Sequence, residues 1–203
     1  MMRSDKYSGA LTAEQFLFHE MRIIAKKYLE KQLIEKIISE VKKDNLFQYP
    51  TERQVSRMVR ACFKRANLLD NDKLVAEIIN APTDVAKQIN LYSIMRYNRL
   101  VWEFMVDVVG EKYRQNDDAL TVKDINEFFT RLQEQNDSVA SWSEATIKKL
   151  SQVLRKFLVE VEILDSSKST KLNPILISTE LEEGMRENQD EVAFSAFNYF
   201  PRS

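Results

Sequence analysis

The sequence predicts an all-α protein: two small helical subdomains with helix-turn-helix character around a long central helix, plus a small β-ribbon wing near residues 162–178. Apolar residues recur at three- and four-residue steps along most of the 203 residues, which is the spacing of one helix face. Glycine accounts for only 3 residues, about 1.5% of the chain against roughly 7% in average usage. Helices tolerate that scarcity, whereas glycine-rich phosphate loops and glycine-turned β-barrels do not.

The amino-terminal subdomain, residues 1–81, is predicted to consist of amphipathic helices joined by short turns. Thr12 and Gln15 form a capping-box pattern ahead of the first apolar run, and Thr51 is well placed to cap a later helix, directly after the turn at Pro50. The predicted helical stretches are 13–41 with a break near 30–32, 52–68 and 72–79.

The second subdomain, residues 82–179, begins with the long central helix, whose apolar residues cover more than one face, so we expect it to be packed on several sides. Thr121 is the expected cap of one later helix, and Ser141 begins a capping box ahead of the next. The apolar period then changes to two short β-like runs, which we expect to pair as a ribbon. The predicted elements are helices 83–113, 121–134 and 142–161 and strands 162–164 and 174–178, followed by an acidic and aromatic tail over residues 180–203.

Two of the predicted helices, 52–68 and 142–161, carry an apolar stripe on one face and cations on another. Each follows another amphipathic helix and a short turn, which is the layout of a helix-turn-helix motif, whose second helix enters the major groove of DNA. The tip of the predicted ribbon adds two lysines, where a wing would touch phosphates. The residues predicted to contact duplex DNA are Arg53, Arg57, Arg60, Lys64, Arg65, Thr146, Lys148, Lys149, Gln152, Arg155, Lys156, Lys168 and Lys171.

Composition and motifs argue against an enzyme. A single cysteine, Cys62, and a single histidine, His19, exclude a disulfide framework and a Cys/His zinc cluster within one chain. The chain contains no P-loop, nucleophile-elbow or HExxH pattern. We therefore predict a non-catalytic protein without a metal or cofactor. Its formal net charge is −1, so gross charge indicates no particular partner.

The sequence also predicts a soluble, cytoplasmic protein without a membrane partner. The best candidate for a membrane span, residues 100–109, is interrupted by Glu103 and Asp107. A spanning helix needs about 20 mostly apolar residues.

Several separated blocks resemble the BrxA family, and together they cover about residues 7–178. The blocks include YSGALT, INLYSIMR, LTVKDINEFF and WSEATIKKL, at residues 7–12, 89–96, 120–129 and 142–150. The resemblance implies a core component of a BREX phage-exclusion system, helical and nucleic-acid binding, and similar to NusB proteins. It further implies partners within a multi-protein defence complex, among them a methyltransferase, an ATPase and a phosphatase-like protein.

Three functions stay open at this point. The first is a non-catalytic subunit that binds duplex DNA through the basic helix faces. The second is a protein adaptor whose basic faces receive acidic surfaces of BREX proteins, and the third is RNA binding in the manner of NusB. The structural alternative to all three is that these basic faces are solvated and lightly paired with acidic neighbours.

Overall fold

The computed structural model describes residues 7–201, and within them the chain forms eleven α-helices, so the predicted all-α class is confirmed. A 3₁₀ helix lies at each end of the described chain, at Gly9–Thr12 and Glu191–Phe197, and a π-helical segment spans Phe104–Val109. The α-helices are α1 (Phe18–Leu29), α2 (Ile34–Lys43), α3 (Glu52–Leu69), α4 (Asp72–Asn80), α5 (Thr83–Tyr97), α6 (Arg99–Glu103), α7 (Gly110–Arg114), α8 (Val122–Gln135), α9 (Asp137–Ala140), α10 (Glu144–Glu160) and α11 (Thr179–Glu187).

Two of the predicted helix caps are confirmed. The Thr51 hydroxyl accepts a hydrogen bond from the Gln54 backbone N–H at 3.3 Å and begins α3. Thr121 and Asp124 form a reciprocal capping box at the start of α8, in which each side chain accepts from the other residue's backbone N–H. These two caps could be predicted from the sequence because the capping residue and its partner lie only three positions apart.

The predicted start of the first helix is wrong. Residues 9–12 form a separate 3₁₀ turn, and α1 begins only at Phe18, after Leu17 adopts a left-handed conformation with φ 53°. The Thr12 hydroxyl donates to the Gly9 carbonyl at 3.0 Å instead of capping α1. The start of α10 also differs, because its cap is Ser143 and not Ser141.

The predicted central helix is interrupted at Asn98, whose backbone is extended at φ −132° and ψ 114°. The Asn98 side chain accepts from the Leu100 N–H at 3.0 Å and starts a second helical stretch, in which α6, the π-helical segment and α7 follow one another without a break. The predicted central helix is therefore two helical rods that meet at Asn98, whose side chain caps the second rod.

The predicted β-ribbon wing is wrong. Residues 7–201 contain no β-strand, and residues 162–164 do not pair with residues 174–178. The chain before α8 pairs instead with residues 170–172: the Leu120 N–H donates to the Thr170 carbonyl and the Leu172 N–H to the Asp118 carbonyl, both at 2.7 Å. A pairing of this length is an isolated bridge and not a ribbon.

The helix-turn-helix details are not supported either. Such motifs join their two helices by a turn of about three to four residues. Residues 44–51 separate α2 from α3, and the extra helix α9 lies between α8 and α10. The winged-helix interpretation of α8 and α10 is not supported either, since residues 7–201 contain no ribbon to act as the wing.

The core is a continuous cluster of buried apolar side chains that extends from Leu11 to Phe197. Helix α3 packs against α1, α2 and α5, and the 3₁₀ helix at residues 191–197 packs against α7 and the π-helical segment. At Gly110, a Cβ atom would lie 2.4 Å from Ser195 Oγ and 3.1 Å from the Ala196 backbone nitrogen, so the two elements meet almost backbone to backbone. The division of the chain at residues 81 and 179 stays a prediction.

The thiol of Cys62 lies inside this core, fully buried on the apolar stripe of α3. Burial raises the pKa of Cys62 to about 12. Because the thiolate is the reactive species, we expect no reaction of Cys62 with Ellman's reagent in the folded protein at pH 8. Rapid release of one equivalent of the chromophore should follow addition of denaturant, and a comparable rate without denaturant would contradict the burial of this side chain.

Candidate nucleic-acid interface

Four of the predicted DNA contacts lie along one exposed face of α3. Helix α3 begins and ends close to its predicted bounds, so the helical spacing of these four side chains is preserved. All four are exposed, on the side of α3 opposite its buried stripe. We call this set the α3 ridge: Arg53, Arg57, Arg60 and Lys64.

The α3 ridge is partly neutralised by carboxylates of the same chain. Arg57 Nε lies 3.1 Å from an oxygen of the buried Glu14, and Arg60 Nη2 lies 3.2 Å from an oxygen of the exposed Glu35. Lys64 Nζ lies 5.4 Å from the centre of the Tyr97 ring. Within residues 7–201, Arg53 has no ion pair.

Arg65, predicted to contact DNA at the flank of this face, is fully buried, so that prediction is wrong. Its guanidinium donates to the backbone carbonyls of Glu14, Gln15 and Phe16 at 2.7, 3.0 and 3.2 Å. Burial lowers the pKa of Arg65, yet a guanidinium stays charged in proteins. Arg65 therefore anchors the chain that precedes α1 and is not available to a ligand.

A second exposed set lies on one side of α10, and we call it the α10 ridge: Lys148, Lys149, Gln152 and Lys156. None of its three lysines forms an ion pair with a residue between 7 and 201. Thr146, also predicted to contact DNA, is half-buried in the first turn, where its N–H and hydroxyl both interact with Ser143.

Arg155, predicted to contact phosphate, holds a loop in place instead. Its Nε donates to the Ser167 carbonyl at 2.9 Å, and its Nη2 donates to the Ser169 carbonyl. These bonds fix residues 165–171 against α10, beside the α10 ridge. The loop exposes Lys168 and Lys171, although the predicted ribbon is not present.

The segment of residues 8–17 lies between α3 and α10 and links the two ridges. Its Glu14 pairs with the α3 ridge and also accepts a hydrogen bond from the Tyr97 hydroxyl at 3.0 Å. At its other end, a Cβ atom on Gly9 would lie 3.9 Å from Thr146 Cγ2 at the start of α10. The sequence did not identify Glu14, since its partners lie more than 40 positions away in the chain.

The arrangement offers exposed cations. In the described part of the chain, no group of three or more His, Cys, Asp or Glu side chains could hold a metal ion. No helix there is long and apolar enough to span a membrane. What these side chains can do is bind anions, through lysines on α10 and its neighbouring loop and through the partly paired arginines of α3.

Comparisons with known proteins agree on one family. The sequence model of BrxA matches residues 5–189. The chain is 35% identical over 175 residues to a protein of Bacillus cereus (strain H3081.97) named "BREX protein BrxA", with 84% of this chain and 85% of the relative covered. A protein of the same name from Escherichia coli O9:H4 (strain HS) is 25% identical over 187 residues, with 89% and 84% covered.

A solved structure has the same fold. The crystal structure of an uncharacterized protein from Magnetospirillum magneticum superposes with a TM-score of 0.81 at 21% sequence identity. The match covers 94% of this chain and 97% of that one.

Proposed function

The chain belongs to the BrxA family, whose members are components of BREX phage-defence systems, and we propose that it is a non-catalytic subunit of such a system. Its part in the system would be to bind duplex DNA. The other proteins of the system, its methyltransferase, ATPase and phosphatase-like protein among them, would be its protein partners. DNA would lie along the α10 ridge and the loop that Arg155 fixes beside it.

The observation that carries this proposal is a set of lysines on and beside α10 that have no carboxylate partner among residues 7–201. Lys148, Lys149 and Lys156 share one helix face, and Lys168 and Lys171 lie on the adjoining loop. Like charges on one helix face destabilise the helix slightly, and a polyanion removes that cost. An α-helix also fits the major groove of B-DNA, where Gln152 has the amide geometry that pairs with adenine.

The α3 ridge would take a secondary part in DNA binding. Arg57 and Arg60 must exchange Glu14 and Glu35 for phosphate, so each contributes less than an unpaired lysine does. Among the described residues, no carboxylate pairs with Lys64 or Arg53, so these two have none to release.

The salt dependence of DNA affinity tests the proposal. If five to seven cations neutralise phosphates, the logarithm of the association constant should fall with the logarithm of salt concentration at a slope of about −4.5 to −6. Fluorescence anisotropy with a labelled random duplex at several salt concentrations gives that slope. A slope shallower than about −2 would contradict the footprint, and tighter binding to structured RNA of equal length would favour the NusB-like alternative.

One observation favours the protein-adaptor alternative. The pairs Arg57–Glu14 and Arg60–Glu35 show that ridge arginines accept carboxylates. An acidic surface of another BREX protein could therefore replace these intramolecular partners. Absence of any duplex binding at low salt, together with binding of an acidic BREX protein that Arg57→Glu and Arg60→Glu abolish, would favour the adaptor.

A further inference from the structure

A cleft of about 450 Å³ lies where the end of α10 and the residues after it, the first turns of α5 and residues 173–175 meet. Its size falls in the range of ligand sites, roughly 300–1,000 Å³. Apolar side chains, including Ile175, form part of its wall. The cleft contains none of the ridge residues.

Three carboxylates line this cleft: Asp84, Glu162 and Asp165. None of them forms an ion pair with any residue of the described chain. Asp165 accepts a hydrogen bond from the Asn173 amide at 2.7 Å, which positions the carboxylate without neutralising it. Lys87, one helical turn from Asp84, is held by Glu160 at 2.9 Å. The cleft therefore has a strong negative charge that the described residues do not compensate.

A buried hydrogen-bond acceptor lines the same cleft without a partner. Gln88 is 5% exposed, and its amide nitrogen donates to the Leu176 carbonyl at 3.1 Å. Its Oε1 atom is buried and receives no hydrogen bond from residues 7–201. Buried acceptors are seldom left unpaired. Because Oε1 exposes almost no surface, the Gln88 side chain must turn toward the cleft for this oxygen to accept a bond from an N–H donor bound beside the carboxylates.

The chain beside the cleft indicates that the donor belongs to a protein segment. Leu176 is 91% exposed, although the bond from Gln88 fixes its backbone. Residues 172–178 form no helix or strand, and the backbone groups of Ile175 and Ile177 make no hydrogen bond within the described chain. A segment with unpaired backbone groups can pair with an extended segment of a partner protein. A small polyamine would leave Leu176 and this edge uncovered.

We propose that residues 174–177 and the adjoining cleft receive an extended basic and apolar segment of another BREX protein. The segment pairs with the backbone of Ile175 and Ile177 and covers Leu176 with an apolar side chain. It places a lysine or arginine among Asp84, Glu162 and Asp165, with an N–H group directed at Gln88. The proposal does not depend on DNA binding, since it uses none of the side chains proposed to contact DNA.

Calorimetric titration of the full chain with each purified protein of its own BREX system tests this surface. We expect one of them to bind, and we expect Asp84→Asn/Asp165→Asn and Leu176→Ser each to raise its dissociation constant by about 10-fold or more. The matched controls are Glu180→Gln/Glu183→Gln, two exposed carboxylates without ion pairs in the described chain, and Val192→Ser, another exposed apolar side chain. Both controls should bind as the wild type does.

A second measurement uses the Gln88 side-chain amide signals in nitrogen-15 spectra, which should shift when the partner is added. The proposal is overturned if no BREX protein binds, if the two cleft variants bind as well as the controls, or if the Gln88 signals stay unchanged at saturation. It is also overturned if spermidine binds the cleft and the partner does not compete with it. DNA affinity, measured in parallel, should be the same for Leu176→Ser and Val192→Ser, which keep the charge of the protein, so a failure here is distinguishable from a failure of DNA binding.

Discussion

Replacing Arg65 with methionine should lower the free energy of unfolding by about 2–4 kcal/mol. Methionine fills much of the apolar volume of the arginine side chain but donates no hydrogen bond. The carbonyls of Glu14 and Gln15 then lose their donor inside the protein, whereas the Phe16 carbonyl keeps a bond from the Asn90 amide at 2.9 Å. For a chain of this length, the melting temperature should fall by about 5–15 °C, and urea denaturation measures the change in free energy.

Arg53→Met is the matched control for this prediction. It removes the same group from the same helix at an exposed position without an ion pair in the described chain. Arg53→Met should change the free energy of unfolding by no more than about 0.5 kcal/mol, as is usual for surface substitutions. A loss below about 1 kcal/mol for Arg65→Met would mean that the amino-terminal segment is held by its other contacts.

Replacing Lys148, Lys149 and Lys156 together with glutamine should make the salt slope of DNA binding shallower by about 2.7. Each phosphate contact contributes about 0.9 to the slope, so three lysines account for the change. Between 50 and 200 mM salt, the affinity of the wild type should therefore fall about 40-fold further than that of the variant. Stability should change little, since all three side chains are exposed.

Lys26→Gln/Lys43→Gln/Lys73→Gln is the control for net charge. These three lysines are also exposed, have no ion pair in the described chain and lie on other helices. If DNA binding depends on the α10 ridge, this control keeps the wild-type slope. Equal slopes for the two triple variants would mean that DNA responds only to the overall charge of the protein, and the proposed footprint would then be wrong.

The sequence predicted what local rules control. The caps at Thr51 and Thr121 depend on residues within three positions, and the exposed face of α3 follows from helical spacing alone. The break at Asn98 was missed because the apolar run continues on both sides of it. The asparagine itself, two positions before Leu100, was the available signal.

The errors come from contacts between distant parts of the chain. Spacing places Arg65 at the edge of a basic face, and nothing near it in sequence shows that residues 14–16 cover it. The residues predicted as strands, 162–164 and 174–178, have suitable β propensity, but it is the predicted linker between them, at residues 170–172, that pairs with residues 118–120. Arg155 lies within the predicted outward face, and only the folded loop shows what its guanidinium binds.

The seating of the last 3₁₀ helix against Gly110 has a consequence for biosynthesis. Phe194 and Phe197 complete a core whose other walls come from helices translated much earlier. Until residue 197 has left the ribosome, this 3₁₀ helix cannot dock, and the apolar surface that it covers on α7 and the neighbouring π-helical segment stays exposed in the nascent chain. Chaperones that shield such surfaces during synthesis would therefore act on this protein until its final helix docks.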